Sequence, residues 1–415
     1  MHDQSPRKKS TASVIMTERR VGIVGGLLAA IGPLAMSLYT PAMPQIVTDF
    51  GTTEAAVKLT LTAYFGGFCF AQLICGPLSD GYGRKPITIL FMSIYLAASV
   101  LALLAPTIEI MVLARLLQGV GAAVGVTMSR AIVRDLFTSD RSARVMNLIG
   151  IVLSVGPAIG PTLGGLTLEL LSWHAIFLVM ILQGVAVITM MIFFVQETGK
   201  PDRSKLRPRS LAQSYFSLLK TPHFLFASLV LTGATGVLYT SATIMPFILM
   251  TRVGLSPSTF GMGMLLQTAF YITGGIIYRM MMHRISVFQM SCIGLLCTCS
   301  ASILLAILLR LYDPSYLLVM LPMGLYVMGI AFLTPQMTTA AMAPFPHIAG
   351  SASALMGFFQ MVGGLIGGII SASMGDPVIA MATLLPLMGL LSLISYILWN
   401  RFKLPDHPVV HKIPT

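Results

Sequence analysis

The ionisable side chains of this sequence are few, and their positions limit the chemistry that they could perform. Arg115 is the only formal charge deep inside a long apolar segment, and Gln118 follows it on the same helix face. A charge buried in lipid is expensive and indicates a functional position. The alternative is a structural arginine that binds backbone carbonyls at a helix break. All 14 acidic residues fall between apolar segments or at their ends, so no carboxylate stands midway to carry a proton.

A second group of charges lies in the short connection Gly76–Pro86, which reads GPLSDGYGRKP. It places Asp80, Arg84 and Lys85 close together in one turn. A carboxylate at the end of one helix can stabilise the positive N-terminus of a neighbouring helix. The alternative is an ordinary surface ion pair, which contributes little to stability.

Several kinds of chemistry are excluded. No nucleophile–base pair and no cluster with metal-ligand spacing appears in the apolar segments, so we predict no enzyme, no catalytic residue, no metal and no cofactor. The five cysteines lie inside apolar segments and are interpreted as small apolar residues. A channel is disfavoured because no filter-like sequence or charged ring is evident.

The composition indicates a membrane protein. Hydrophobic residues make up 56% of the 415 residues and charged residues only 10%, whereas soluble proteins carry roughly 25% charged residues. The net charge of +12 could indicate nucleic-acid binding. However, the basic residues lie in alternate loops rather than on one face, which is the positive-inside pattern, so we predict no nucleic-acid partner.

Twelve apolar segments are each long enough to cross a bilayer as a helix. Spans 1 to 12 are predicted at Val21–Ile46, Ala55–Leu78, Pro86–Pro106, Ile110–Met128, Val145–Leu168, Ala175–Val195, Phe224–Met250, Phe260–Tyr278, Ile285–Leu309, Tyr316–Met342, Ile348–Met374 and Pro377–Trp399. The fold class is therefore all-α, with two six-helix bundles at residues 21–196 and 224–400. Residues 1–20 and 401–415 are predicted tails, and residues 197–223 a linker.

The basic residues orient this arrangement. Of 26 lysines and arginines, only Lys58, Arg252 and Arg310 fall on one side of the predicted membrane, and Arg115 lies within it. All the others fall on the opposite side. Short cytoplasmic loops hold the excess of Lys and Arg, so both termini are predicted to be cytoplasmic in an inner-membrane protein.

Two further spans have unusual sequences. Span 5 repeats glycines four residues apart, which lie on one helix face and permit close helix contact. We interpret this motif as a packing surface that lets the two halves rock, and not as a ligand site. Its residues are Gly156, Pro157, Gly160, Pro161, Gly164 and Gly165. Span 1 is interrupted by Pro33, Pro41 and Pro44, which is typical of a helix that lines a cavity.

Five motifs give a family resemblance. GPLSDGYGRKP, LARLLQGVGAA at Leu113–Ala123 and GPAIGPTLGG at Gly156–Gly165 resemble motifs of the major facilitator superfamily in spans 2 to 5. YTPAMPQI and SRAIVRDLF resemble its Bcr/CflA-type drug:proton antiporters. One departure concerns the proton, since such proteins usually carry an Asp before the Tyr-x-Pro element, where this chain has Met36-Ser37-Leu38. Coupling would then involve Asp49, Asp80 or Asp135 with Arg115.

The resemblance implies a central site near the bilayer midplane and a conformational latch of Asp80, Arg84 and Asp135, with Arg84 paired to Asp135. The latch would join the halves while the site faces outward. Each cavity candidate could instead serve helix packing. The candidates are Ser37, Tyr39, Arg115, Gln118, Tyr239, Gln267, Gln336 and Gln360.

The resemblance also predicts the function. The predicted protein is a monomeric, alternating-access exporter of amphipathic drugs or small metabolites, coupled to protons. One alternative is an exporter dedicated to a single natural product such as a siderophore or antibiotic. Another is a nutrient importer, against which the span 5 motif argues.

Overall fold

Apolar segments fold as helices in a bilayer because a helix satisfies its own backbone hydrogen bonds. The computed structural model describes residues 17–137, 139–199, 201–202 and 208–402, so most of both predicted tails and part of the linker lie outside it. Within these ranges every regular element is helical. The helices before the linker are α1 (Glu18–Tyr39), α2 (Met43–Asp49), α3 (Glu54–Tyr82), α4 (Arg84–Leu103), α5 (Ile108–Ala122), α6 (Val124–Leu136), α7 (Ser139–Leu170) and α8 (Trp173–Phe194).

The later helices begin in the linker. They are α9 (Pro208–Leu219), α10 (Pro222–Pro246), α11 (Pro257–Met281), α12 (Val287–Leu311), α13 (Tyr316–Met342), α14 (Ala349–Ser373) and α15 (Pro377–Arg401). Three predicted spans are built from two pieces. A 3₁₀ turn at Thr40–Ala42 joins α1 to α2, α5 and α6 meet at Ala123, and a π-helix at Phe247–Arg252 extends α10.

Eleven helical segments in the described ranges are long and apolar enough to cross a membrane. Helix α7, with 32 residues, covers predicted span 5. Side chains that face away from the helix bundles are large and apolar, and Leu182, Phe193 and Leu296 are 68%, 75% and 71% exposed. Apolar surface of this extent marks contact with a membrane or with another protein, and the length of these helices favours a membrane. The predicted all-α, multi-pass membrane fold is confirmed.

Buried side chains form two cores. The first extends from Val21 to Val195, and the second from Leu218 to Trp399. Phe247, although it follows α10, packs into the first core. Helix α3 packs on α14 and α7 packs on α11, so these two pairs join the halves. We call the end of the molecule with the Gly76–Pro86 loop the basic end, and the opposite end the far end.

Candidate functional site

A cavity of about 360 Å³ lies between the two halves. Its walls come from α1, α3, α6 and α7 of the first half and from α10, α11, α13 and α14 of the second. Pockets for drug-sized ligands span roughly 300–1,000 Å³ and are mostly apolar with a few placed polar groups. The cavity has this character, and methionines supply much of its apolar wall: Met36, Met245, Met264, Met356 and Met361.

Four of the eight predicted cavity residues line this cavity: Ser37, Tyr239, Gln267 and Gln360. Ser37 is held in place by donating a hydrogen bond of 2.8 Å to the carbonyl oxygen of Pro33. Pro33 lies one turn earlier in α1, and because proline has no N–H the helix lacks one backbone hydrogen bond at this wall. Tyr239 packs its ring against Phe65 of the first half, with ring centroids 5.5 Å apart. Both halves therefore shape the site.

Arg115 is placed differently from the sequence expectation. It is fully buried inside the first half and is not among the residues lining the cavity. The centre of its guanidinium lies 4.3 Å from the ring centroid of Tyr39 and 4.5 Å from that of Tyr64. Tyr39, also expected at the cavity, is buried too, and its hydroxyl lies 2.7 Å from the hydroxyl of Thr60. The aromatic faces stabilise the cation in place of a carboxylate.

Gln118 completes this buried group rather than lining the cavity. Its side-chain oxygen accepts from Arg115, and its amide donates to Ser99 at 2.7 Å. Gln336 is likewise used within its own half, because its side-chain oxygen accepts a hydrogen bond from the hydroxyl of Ser291 on α12. Helical spacing indicates which residues share a face, but it leaves open which neighbouring helix that face meets.

The three predicted latch residues lie together. Arg84 Nη2 is 2.5 Å from Asp80 Oδ1, and Arg84 Nε donates to Asp135 Oδ2 at 2.9 Å. The backbone N–H of Arg84 donates to Glu197 at 2.8 Å, a partner that the sequence reading missed. Within the described part of the chain, the side-chain hydrogen bonds and ion pairs of these three residues do not reach the second half.

The glycines of α7 face α1 and the second half. A Cβ on Gly160 would meet the Ser37 hydroxyl, and a Cβ on Gly164 would meet the carbonyl oxygen of Leu38. A Cβ on Gly165 would meet the carbonyl oxygen of Pro257 in α11. Gly156 is buried with more room, while the side chain of Pro157 lies outside the described part of the structure. Backbones therefore approach closely along this face.

The halves meet firmly at the far end. The Thr162 hydroxyl donates to the carbonyl oxygen of Gly261 at 3.0 Å, next to Pro161, which also lines the cavity. The backbone N–H of Ser258 donates to the carboxylate of Glu169 at 3.1 Å. These α7–α11 contacts close the cavity on that side.

Polar contacts also join the halves towards the basic end, where the Tyr215 hydroxyl on α9, which packs against the second core, donates to the carbonyl oxygen of Leu73 on α3 at 2.7 Å. Arg130 on α6 donates to the Ser353 hydroxyl on α14 at 3.0 Å. Arg130 lines the cavity, as do Gln72 on α3 and Thr334 on α13. The sequence reading assigned Arg130 to a loop because the apolar run ends before it. Its spacing from Val126, one helical turn earlier, was the signal that could have placed it on the cavity face.

Comparison with known proteins agrees with this architecture. The family model described as Major Facilitator Superfamily matches residues 25–368. Multidrug resistance protein D of Escherichia coli K12 is 28% identical, with 90% of this chain and 93% of that protein covered. The bicyclomycin resistance protein homolog of Haemophilus influenzae is 26% identical, with 89% and 91% covered.

A solved structure has the same fold. The bacterial homolog of the human lysosomal transporter Spinster superposes with a TM-score of 0.70 at 14% identity, covering 92% of this chain and 96% of that one. Two helical halves around a central cavity, a family match over most of the length and drug-resistance relatives of Bcr/CflA type agree. This chain belongs to the Major Facilitator Superfamily and is a membrane transporter rather than an enzyme.

Proposed function

We propose that the protein exports amphipathic small molecules across the cell inner membrane by alternating access. One observation carries this proposal: the cavity is lined by both halves and is closed at the far end by the α7–α11 contacts. A site built from two bodies changes its exposure when those bodies rock against each other. The drug-resistance names of the two relatives support export rather than import.

The direction of exposure follows from the basic loops. With the basic end in the cytoplasm, the cavity closed at the far end accepts substrate from inside the cell. The Asp80–Arg84–Asp135 cluster then serves as the latch of the other state, reaching α14 only when the halves come together at the basic end. Proton coupling through Asp49, Asp80 or Asp135 with Arg115 is a further part of this proposal.

The remaining parts of the proposal concern assembly. The chain works as a monomer in the bilayer, with both termini in the cytoplasm and no nucleic-acid partner. Reporter fusions at residue 205, in the linker, and at Arg310 between predicted spans 9 and 10 test the orientation. Cytoplasmic activity at the first and external activity at the second are expected. The reverse pattern would overturn the orientation and the direction of export together.

Efflux from proteoliposomes tests the function. Purified protein is reconstituted with a set pH gradient, and loss of a drug panel is followed with and without the gradient. We expect gradient-dependent efflux of several compounds, with pH change inside the vesicles. An efflux rate that is the same with and without the pH gradient would reject proton coupling but would still support the export function. Efflux of one compound only would indicate the dedicated exporter.

A further inference from the structure

Among the described residues that line the cavity, one side chain is charged, and it is a cation. Among those residues, only Arg130 is ionised at neutral pH. The acidic residues of the described ranges lie elsewhere, at helix ends or between helices. A lipophilic cation entering this cavity would lose its hydration without meeting a carboxylate, which is strongly unfavourable.

Among the described residues, Arg130 has no counter-ion. Within the described residues its side chain makes a hydrogen bond of 3.0 Å to the neutral hydroxyl of Ser353 and takes part in no ion pair. Arg84, in contrast, contacts two carboxylates. Guanidinium offers five donors and pairs with carboxylates in bidentate fashion. Arg130 is exposed, and a guanidinium accessible at the edge of a largely apolar cavity is suited to bind an anion.

Polar atoms deeper in the cavity wall also lack partners. The Gln267 side-chain nitrogen and the Thr334 hydroxyl are buried and have no hydrogen-bond partner among the described residues. Both are donors, from α11 and α13. The Gln72 side-chain oxygen on α3 is a matching acceptor without a partner. Buried polar groups without partners are rare in native structures, so these three cavity-lining residues keep unused hydrogen-bonding capacity behind the cavity surface.

We propose that the transported substrate is an amphiphilic organic anion whose carboxylate or sulfonate binds Arg130. This inference rests on the proposed export function and adds its substrate class. The anionic group replaces Ser353 as the partner of Arg130, which loosens the Arg130–Ser353 link between the halves. The apolar body lies against the methionine wall.

The test uses proteoliposomes and three probes. Fluorescein is an organic anion, rhodamine 123 is a cation on the same xanthene skeleton, and chloramphenicol is a neutral drug. We expect export of fluorescein at least about tenfold faster than of rhodamine 123, since one hydrogen bond to a charged group gives about that factor. Export of rhodamine 123 at a rate equal to or greater than that of fluorescein would overturn the anion preference, although the export function would still be supported. Export of chloramphenicol in the absence of any fluorescein export would also overturn the anion preference and support the export function. Export of none would reject the export function and the inference with it.

Variants of Arg130 test whether this residue causes the preference for anions. Arg130→Gln should lower fluorescein export by about tenfold or more, whereas Arg130→Lys should retain part of it because the charge remains. Arg130→Glu should shift the preference towards rhodamine 123. Arg134→Gln is the matched control, since Arg134 is exposed on the same helix, as Arg130 is, but does not line the cavity. Equal losses in Arg130→Lys and Arg130→Gln, with normal thermal unfolding of both, would contradict the role of the charge.

Discussion

The ammonium of Lys58 on α3 lies 5.2 Å from the ring centroid of Phe247, across the boundary between the two halves. Lys58 is fully buried, and its nearest carboxylate oxygen belongs to Glu54 at 3.7 Å. A buried ammonium with one distant partner destabilises the state that buries it. The closed far end is therefore held by packing and hydrogen bonds while Lys58 opposes it, since parting the halves would return the ammonium to water.

Replacing Lys58 by methionine should stabilise the closed far end and slow export. Exchange of a buried ion for an apolar side chain of similar volume often raises stability by about 1–4 kcal/mol. Thermal unfolding in detergent and export rates in proteoliposomes measure the two effects. Lys220→Met is the matched control, because exposed Lys220 lies 4.4 Å from the Phe216 ring within one segment. Faster export by Lys58→Met would contradict the argument.

The Arg84–Asp135 pair should show energetic coupling. Arg84 is nearly buried, so removing either partner leaves the other charge poorly solvated. We expect Arg84→Gln and Asp135→Asn each to lower the free energy of unfolding by about 1–3 kcal/mol. The double variant should lose less than the sum, because the two residues act together. Chemical unfolding of all four proteins measures the cycle, and strict additivity would rule out a direct interaction.

The latch role needs a functional measurement on Asp80. Asp80→Asn should cripple export while leaving membrane insertion and expression intact, because its carboxylate is the part that we expect to meet α14 in the other state. Glu18→Gln serves as control, since Glu18 pairs with the exposed Arg144 at 3.3 Å and surface pairs contribute little. Normal export by Asp80→Asn would remove the latch claim.

Most of the fold could be predicted from the sequence because a bilayer requires long apolar helices and an excess of basic residues in the cytoplasmic loops. Both the apolar segments of about 20 residues and the basic loops between them can be identified in the sequence alone. The clustering of Asp80, Arg84 and Asp135 was expected from motif resemblance and is found in the structure. The breaks at Ala123 and Phe247 were not predicted, since the chain remains apolar through both.

The cavity was harder to predict for a physical reason. A helix inside a bundle meets several neighbours. Arg115 falls inside an apolar segment and Arg130 just after one, but the sequence does not show which of the two reaches the cavity. Tertiary packing separates them, because Arg115 lies against Tyr39 and Tyr64 while Arg130 reaches Ser353 of the other half. The partner of each polar side chain comes from a distant segment, which a single sequence does not reveal.

A methyl group on Gly165 should weaken the closed far end. Its Cβ would collide with the carbonyl oxygen of Pro257, and backbone atoms cannot move aside cheaply. Gly165→Ala should therefore lower the unfolding temperature and make vesicles leak protons. Gly275→Ala on α11 is the control, because a Cβ there meets nothing within 4 Å and Ala favours a helix by up to about 1 kcal/mol. Equal behaviour of the two variants would argue against tight packing at Gly165.

A variant of Arg115 can distinguish whether its charge serves the packing of the first half or the binding of substrate. It lies behind the cavity wall, stacked on Tyr39, whose neighbour Thr40 lines the cavity. Its positive charge should therefore favour anions in the cavity without touching them, since charges interact strongly at low dielectric. Arg115→Met should fold with unchanged or higher stability, because it removes a buried ion without a carboxylate. Its fluorescein export should fall severalfold while chloramphenicol export is preserved. If both rates fall together with the unfolding temperature, Arg115 serves the packing of the first half alone.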